Sequence, residues 1–375
     1  MYRFHVPYIA KNALKYIDNV LQLGRTAYGG EYTRKVEVEL MKRLGVKTLF
    51  SSSCTSALEY TSLLLKIQPG DEVVVPTYTF PSTANAFALR GAKVVFADSS
   101  SEHPNIDLQD LYSKLTKKTK LVLPMYYGGV SVDWNELRKI QQEFNFHIVE
   151  EAAHSFGSNF LDNKKQFPLG SLGDLSVFSF HETKNISCGE GGAVGICNPK
   201  QWENLESCFN DGTDKLAFER GEVEYYQWCS LGSSFGGSEL NAAVLLSQLE
   251  DFDVENNRRK EYWRSLYTSL QQIDLKGIEL PKIPGYADHN AHIFYLTFPT
   301  LKMRSDFEGF MAKSKIPVYP HYRCLHKSTF GKNFKSNETF ENALKFENGL
   351  VRLPMNMEIS QEILLDSIQT FMNTI

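Results

Sequence analysis

Seven short apolar runs, rich in β-branched residues, alternate with helical patterns through the first two-thirds of the chain. This alternation constrains the fold more than any other feature of the sequence. A run that is apolar throughout is typical of a strand buried on both faces of a sheet. The runs therefore predict an α/β fold of the doubly wound kind, with helices on both sides of one sheet. They cover 48–50, 72–76, 92–97, 120–124, 147–150, 175–180 and 193–196.

A long helical pattern follows these runs. Apolar residues recur at helical spacing from Ser238 to about Gln272, and a shorter helical pattern lies at 199–209. The remaining residues mix strand and helix patterns, as a smaller α+β domain would. The chain has 375 residues, a length that fits two domains. We expect a large domain at 1–255 and a small C-terminal domain at 256–375.

Composition excludes several classes of function. Apolar residues make up 42% of the chain and charged residues 22%, which is typical of a globular protein. The net charge is -4 and no basic run is present, so we do not expect a nucleic-acid partner. We expect no membrane span and no signal peptide. The six scattered cysteines favour reduced thiols in a cytoplasmic protein over disulfides or a metal site.

One lysine stands where covalent chemistry is possible. Lys184 follows the apolar run at 175–180 and precedes a glycine cluster at 189–192, and the hydroxyl of Ser179 lies five positions before it. A lysine amine becomes a nucleophile only if burial or a neighbouring cation lowers its pKa. A loop at a strand end inside an α/β domain can supply that burial. The segment therefore predicts covalent binding of a phosphorylated aldehyde cofactor.

Other strand ends carry further candidates, since ligands of open α/β sheets bind beyond the carboxyl ends of the strands. Cys54 and Thr55 lie where a helix begins, so this segment is either an ordinary helix cap or a phosphate-binding helix N-terminus. Phe80 follows the second strand and is either a core residue or a ring that stacks on a flat ligand.

The fifth strand ends in two carboxylates, Glu150 and Glu151. Alternation along a strand places them on opposite faces, so only one can point at a ligand. Glu151 could cap a helix, be solvated, or keep a pyridine nitrogen protonated and so make its ring an electron sink. His154 could be a buried core histidine or could hydrogen-bond a ring substituent.

The whole set of motifs resembles the DegT/DnrJ/EryC1/StrS family of sugar aminotransferases, which use pyridoxal 5'-phosphate. The resemblance implies fold type I of these enzymes, with a mixed seven-stranded sheet in the large domain and a smaller C-terminal α+β domain. It extends over nearly the whole chain. The motifs that carry it lie at 53–59, 67–73, 76–80, 82–87, 178–192, 232–235 and 238–240.

The resemblance assigns a role to each candidate. It implies that Lys184 bonds covalently to the cofactor and later moves the proton. It implies that Phe80 stacks on the cofactor ring, that His154 lies near the ring oxygen and that Glu151 is the partner of the ring nitrogen. The residues expected to bind the cofactor phosphate are Cys54, Thr55 and Ser179.

The resemblance also implies a homodimer with shared active sites. Many family members supply an asparagine and an arginine from the partner subunit, and these positions are Ser234 and Gly236 here. Ser234 could still reach the phosphate across the dimer. Tyr28, Gly29 and His326 fall where contacts with the sugar nucleotide are expected.

The expected reaction moves an amino group from L-glutamate to a nucleotide-linked 4-keto-6-deoxyhexose, with dTDP-4-keto-6-deoxyglucose as the first choice. The product would serve O-antigen or enterobacterial common antigen synthesis. A 3-keto substrate or a gluco product is an alternative. A pyridoxamine-dependent 3-dehydratase is disfavoured, because such members replace Lys184 by histidine. Glu151 stands where the family has aspartate, so a protein of impaired activity is a further alternative.

Overall fold

A computed structural model describes residues 2–334, 338–356 and 358–375. Short 3₁₀ turns lie at Tyr127–Gly129, Pro199–Gln201, Leu325–Lys327 and Gly331–Asn333. The α-helices, in chain order, are α1 Ala13–Leu23, α2 Glu31–Leu44, α3 Cys54–Leu64, α4 Ser82–Ala88, α5 Leu108–Lys114, α6 Trp134–Phe144, α7 Leu205–Phe209, α8 Lys215–Glu219, α9 Glu239–Leu270, α10 Leu301–Lys313, α11 Glu341–Gly349 and α12 Gln361–Met372. The strands are β1 Lys47–Ser51, β2 Glu72–Pro76, β3 Lys93–Ala97, β4 Thr119–Val122, β5 His147–Glu151, β6 Asn159–Asp162, β7 Lys165–Pro168, β8 Leu175–Ser179, β9 Gly192–Ile196, β10 Ala287–Asp288, β11 Phe294–Thr297, β12 Tyr319–Pro320 and β13 Leu350–Leu353.

The seven predicted strands form one sheet in the order β1-β9-β8-β5-β4-β2-β3. Strands β8, β5, β4, β2 and β3 pair in parallel, whereas β9 runs antiparallel to both of its neighbours, β1 and β8. The predicted α/β class and the mixed seven-stranded sheet are therefore confirmed. Because β1 and β8 both oppose β9, the carboxyl ends of β1, β2, β5 and β8 meet at one edge of the sheet.

Both faces of this sheet are buried, as its apolar runs predicted. In β2, Val73 and Val75 pack into a core that contains Tyr60 of α3, while Val74 packs into a second core that contains Val36 of α2. Burying apolar surface on both sides stabilises the sheet by roughly 25 cal/mol per Å². The sheet is thus a rigid platform for its loops.

Ser238 caps the long helix α9, and its hydroxyl accepts a hydrogen bond from the backbone N–H of Asn241 at 3.2 Å. Its first half packs Leu249 into the core of the large sheet, and its second half packs Leu266 into a third core that contains strands β11 and β13. The proposed domain division near residue 255 stays a prediction. No helix in the described ranges has the length and apolar character needed to cross a bilayer.

A second helical pattern, predicted at 199–209, is interrupted. Its first residues form a 3₁₀ turn, and α7 begins only at Leu205. Asn204 between them has a φ of 55°, in the left-handed region that asparagine tolerates better than most residues. Two small antiparallel sheets, β10-β6-β7 and β11-β13-β12, complete the fold.

Candidate active site

A cavity of about 550 Å³ lies at the edge where the carboxyl ends of the parallel strands meet. Its volume is in the range typical of small-molecule sites. It brings together predicted site residues from four distant segments of the chain. The predicted site residues among those that line it are Cys54, Thr55, Phe80, Glu151, His154, Ser179 and Lys184.

The loop after β8 holds Lys184 by main-chain hydrogen bonds. The Lys184 N–H donates to the His181 carbonyl at 2.9 Å, and the Cys188 N–H donates to the Phe180 carbonyl at 2.9 Å. Gly189 permits the return of the chain with a φ of 82°, a conformation that residues with a Cβ rarely adopt. The loop is therefore closed on itself, and Lys184 lines the cavity from it.

The electrostatic surroundings of Lys184 favour its neutral form. Burial lowers the pKa of the Lys184 amine, and the charge of Arg352 adds to the lowering, while Glu151 opposes it. A neutral amine is the nucleophilic form of lysine. A nucleophilic lysine requires a lowered pKa. Burial supplies most of the lowering at Lys184, and the neighbouring cation Arg352 supplies a smaller part.

The N-terminus of α3 forms one end of the cavity. The Ser53 hydroxyl accepts from the Ser56 N–H at 3.0 Å, and the Ser56 hydroxyl accepts from the Ser53 N–H at 3.0 Å. This cap leaves the N–H groups of Cys54 and Thr55 with no acceptor among the described residues. Gly192 packs so closely that a Cβ there would lie 2.6 Å from the Cys54 nitrogen. The segment is a capped helix start with free donors, which suits an anion.

Glu151 is only 3% exposed, and its carboxylate accepts a hydrogen bond from the Ala153 N–H at 3.0 Å. Burial raises the pKa of the Glu151 carboxyl, whereas that hydrogen bond and Lys184 act in the opposite direction. The charged form of a buried carboxylate is stabilised when it pairs with a cationic group of a ligand.

His154 is buried and neutral. Burial lowers its pKa well below the usual range, and the charge of Lys184 lowers it further. The Gly128 N–H donates to Nδ1 of His154 at 3.4 Å, which assigns the ring proton to Nε2. The Nε2 atom of His154 lies 3.4 Å from the Tyr322 hydroxyl. The His292 ring packs against the His154 ring at a tilt of 44°, with 4.6 Å between centroids.

Phe80 is not a core residue, since 54% of its surface is exposed. Its ring lines the cavity, and the ring of Tyr322 lies 6.3 Å from it between centroids. Part of the Phe80 side chain is thus accessible to a ligand in the cavity.

The other predicted contacts lie outside this cavity. The Tyr28 hydroxyl donates to Glu37 at 2.8 Å, and Gly29 follows it. The His326 Nδ1 lies 2.7 Å from the Thr77 hydroxyl. Ser234 is exposed on the surface. Their assigned roles in substrate or phosphate binding stay predictions, and that of Ser234 requires a second copy of the chain.

Several cavity residues were not found from the sequence. They come from the N-terminal segment, from α9 and from the second half of the chain, where no motif marks them. His292 is held by the Asn185 amide oxygen at 2.8 Å, which links it to the Lys184 loop. Among the cavity residues that the sequence did not indicate are Phe4, His5, Arg259, His292, His321, Tyr322 and Arg352.

These residues fit pyridoxal phosphate. The cavity combines a lysine amine with lowered pKa, free N–H donors at a helix start, a buried carboxylate and an exposed aromatic ring. Each meets a different part of that molecule: the aldehyde, the phosphate, the ring nitrogen and the ring face. In the part of the chain that the structure describes, no group of three or more His, Cys, Asp or Glu side chains is placed to hold a metal ion.

Fold and site together define a pyridoxal-phosphate enzyme of the aminotransferase type. Residues 7–371 match the DegT/DnrJ/EryC1/StrS aminotransferase family, and the chain belongs to this family. It is therefore a pyridoxal-phosphate-dependent aminotransferase, as the motifs predicted.

Three relatives illustrate the similarity. The spore coat polysaccharide biosynthesis protein SpsC of Bacillus subtilis is 29% identical over 98% of this chain and 95% of its own. Spr1654 of Streptococcus pneumoniae, a candidate sugar aminotransferase solved in its PMP form, is 24% identical, with a TM-score of 0.89 and full coverage of both chains. The aminotransferase TlmJ of Streptoalloteichus hindustanus is 22% identical, with a TM-score of 0.90, over 100% of this chain and 99% of its own.

Proposed function

We propose that this enzyme transfers the amino group of L-glutamate to a nucleotide-linked 4-keto-6-deoxyhexose. The first choice of substrate is dTDP-4-keto-6-deoxyglucose, and the product is a 4-amino sugar for a cell-surface polysaccharide, such as O-antigen or enterobacterial common antigen. The names of SpsC and Spr1654, which refer to a polysaccharide and to a sugar, support the class of substrate. The motif resemblance to the dTDP-4-amino-4,6-dideoxygalactose transaminase supports the particular sugar.

One observation supports the proposal above the others: Lys184 and Glu151 line the same cavity. Each acts on the pKa of the other, because Glu151 raises the pKa of the Lys184 amine and Lys184 lowers the pKa of the Glu151 carboxyl. When bound, pyridoxal phosphate supplies the electron sink that stabilises negative charge at the reacting carbon. Glu151 would hold the ring nitrogen in its protonated form. Cys54 and Thr55 would bind the phosphate through their N–H groups, with Ser179 adding a hydroxyl. Phe80 would cover the ring.

Lys184 moves the proton in both halves of the proposed reaction. Its neutral amine would remove the proton from the α-carbon of L-glutamate and pass it to the bound cofactor. Water would then release 2-oxoglutarate, and the amino group would stay on the cofactor. In the second half the same amine would take a proton back from the cofactor and give it to carbon 4 of the sugar, which sets the configuration of the new amino group. Proton transfer by a positioned side chain contributes about 10²- to 10⁴-fold to a rate. His154 would donate a hydrogen bond from Nε2 to the ring oxygen of the cofactor.

We further propose a homodimer in which Ser234 of one copy approaches the phosphate site of the other. A surface near Ser234 supports this, because it exposes large apolar side chains that a monomer rarely leaves in water. These are Phe218, Tyr225, Tyr226, Trp228 and Leu231. Sedimentation at micromolar concentration tests it: a monomer contradicts the shared site. The free thiols of its cysteines suit the cytoplasm, which we propose as its location.

The substrate is tested by incubating the enzyme with L-glutamate and dTDP-4-keto-6-deoxyglucose and identifying the product by NMR. We expect a 4-amino sugar with the galacto configuration. A 3-amino sugar or a gluco product would replace the proposed substrate or stereochemistry with the corresponding alternative. No product, together with a visible cofactor band that does not shift on adding L-glutamate, would favour a protein impaired by Glu151.

A further inference from the structure

The side chain of Asn185 ties the Lys184 loop to a segment that lies more than 100 residues later in the chain. Its amide nitrogen donates to the Asn290 carbonyl at 2.9 Å. Its amide oxygen lies 2.8 Å from Nδ1 of His292. Because Asn185 follows Lys184 directly, these two contacts hold the backbone from which the lysine side chain leaves.

The same segment also holds the loop that carries His154. Asn290 is buried, and its side-chain amide donates to the carbonyls of His154 and Phe156, each at 2.9 Å. The backbone N–H of Asn290 donates to the Ser158 hydroxyl at 3.0 Å. The segment at 290–292 therefore fixes the lysine loop and this histidine loop relative to each other.

The hydrogen bonds of Asn185 determine which nitrogen of His292 carries the proton. A carbonyl only accepts, so the amide nitrogen of Asn185 faces Asn290 and the amide oxygen faces His292. Nδ1 of His292 is therefore the protonated nitrogen. Burial lowers the pKa of His292 well below its usual range, so the ring is neutral and its Nε2 atom keeps a lone pair.

This lone pair belongs to a ring that lines the same cavity as Lys184. In the described ranges, no residue donates a hydrogen bond to Nε2 of His292. His154, whose ring packs against it, has the opposite tautomer, since its Nδ1 accepts from the Gly128 N–H. The two neutral rings thus supply one acceptor and one donor, and the acceptor is Nε2 of His292.

Lys184 is the group in the cavity that matches this acceptor. After burial, its charge is the first cause that lowers the pKa of His292, which indicates that the two side chains are close. The Lys184 amine itself has no hydrogen-bond partner among the described residues. An amine or ammonium has N–H groups to donate, and its flexible four-carbon stem needs a partner to hold one orientation.

We propose that His292 is a positioning residue for Lys184: its Nε2 atom accepts a hydrogen bond from the lysine amine while that amine holds the transferred proton, and Asn185 keeps His292 in the accepting tautomer. The proton stays on the lysine, and His292 stays neutral throughout. This inference rests on the proposed role of Lys184 in moving the proton. It does not depend on which sugar accepts the amino group.

The first test measures the pKa of the Lys184 amine in the enzyme without cofactor. Only the neutral amine attacks an aldehyde, so the rate at which added pyridoxal 5'-phosphate gives its visible band reports that pKa when it is followed against pH. A hydrogen bond accepted from the ammonium stabilises the charged form. His292→Asn keeps the contact with Asn185 but has no atom at the Nε2 position. We expect it to lower the pH of half-maximal rate by about one pH unit.

The second test follows the half-reaction of the loaded enzyme with L-glutamate as the decay of the visible band. We expect His292→Asn to lower the maximal rate about 10-fold, because the amine is less well oriented. The half-saturating concentration of L-glutamate should stay within about twofold of the parent. His292→Gln places an amide oxygen near the Nε2 position and should restore most of the rate and of the pH midpoint. Asn185→Leu frees the ring to exchange tautomers and should lower the maximal rate about threefold.

These variants leave the other charged or titratable groups near Lys184 and His292 in place. Those groups are Glu151, Cys54, Arg352, Arg259 and His5. The matched control is His289→Asn, which lies on the same stretch of chain as His292 but outside the cavity. It should leave both the pH midpoint and the maximal rate unchanged.

Three results would overturn the proposal. They are an unchanged pH midpoint in His292→Asn, losses in His292→Gln as large as those in His292→Asn, and equal losses in the control. Thermal melts of each variant separate these results from loss of the fold. A failure of the proposed function is recognised in the parent enzyme, which would then give no visible band, a band that does not respond to L-glutamate, or no 4-amino sugar.

Discussion

Glu150 and Glu151 are adjacent at the end of β5, and their carboxylates have opposite surroundings. Glu150 accepts hydrogen bonds from the Tyr126 hydroxyl at 2.6 Å and from three backbone N–H groups of the turn at 170–173 at 2.6 to 2.7 Å. Glu151 instead lines the cavity and accepts from the Ala153 N–H. One carboxylate therefore holds a turn, and its neighbour is available to a ligand.

We expect Glu150→Gln to lower the free energy of unfolding by about 2–4 kcal/mol, because an amide nitrogen cannot accept hydrogen bonds that the carboxylate now accepts. Urea unfolding measures this change. The folded variant should keep its cofactor band, since Glu150 does not line the cavity. A variant as stable as the parent would contradict the structural role of Glu150.

We expect Glu151→Gln to lower the rate of amination by about 100-fold or more, since a neutral amide cannot keep the ring nitrogen protonated. Turnover with L-glutamate measures it, and the stability of the folded protein should change little. Glu151→Asp is the conservative control, and we expect it to stay within about tenfold of the parent. Equal turnover of the Gln variant and the parent would remove Glu151 from the site.

We expect Gly192→Ala to weaken cofactor binding and to destabilise the protein by about 1–3 kcal/mol, because the new Cβ would lie 2.5 Å from the Ser53 carbonyl carbon. Displacement of the α3 start would disturb its free N–H donors. Gly285→Ala is the matched control, with no heavy atom within 4 Å of its Cβ position. The affinity for pyridoxal phosphate and the melting temperature are measured for both. Equal effects of the two substitutions would contradict this explanation.

We expect stability to fall as the pH drops from 6.5 to about 4, partly through His289. Burial lowers the pKa of His289 from 6.5 to about 4, with Lys260 lowering it further and Asp288 opposing. The unfolded chain then binds more protons than the folded one, so stability rises with pH in this window.

His289→Asn tests this contribution. The Nδ1 atom of His289 accepts from the Ala291 N–H at 3.2 Å, and the asparagine oxygen can take its place without titrating. Between pH 6.5 and 4, we expect the free energy of unfolding of the variant to fall less than that of the parent. The difference should be on the order of 1–2 kcal/mol. Urea unfolding at several pH values measures the slope. Parallel curves for variant and parent would contradict it.

Much of the fold follows from local pattern. The apolar runs predicted all seven strands of the large sheet, and the spacing of apolar residues predicted α9 nearly to its ends. The helix predicted at 199–209 was confirmed only from Leu205 onward, because Asn204 adopts the left-handed conformation and interrupts it. Strand burial and helix periodicity depend on near neighbours in the chain, whereas such an interruption depends on how the segment packs.

The sequence by itself brought out one side of the cavity, since Cys54, Thr55, Glu151 and Lys184 lie at or after the carboxyl ends of strands, where open α/β sheets bind their ligands. Strand alternation also separated Glu150 from Glu151. Only the tertiary structure decided which of the two faces the cavity, and only it brought Arg352 there. The reason is physical: Arg352 lies in a separate sheet, and no local pattern specifies how two sheets pack across a cavity.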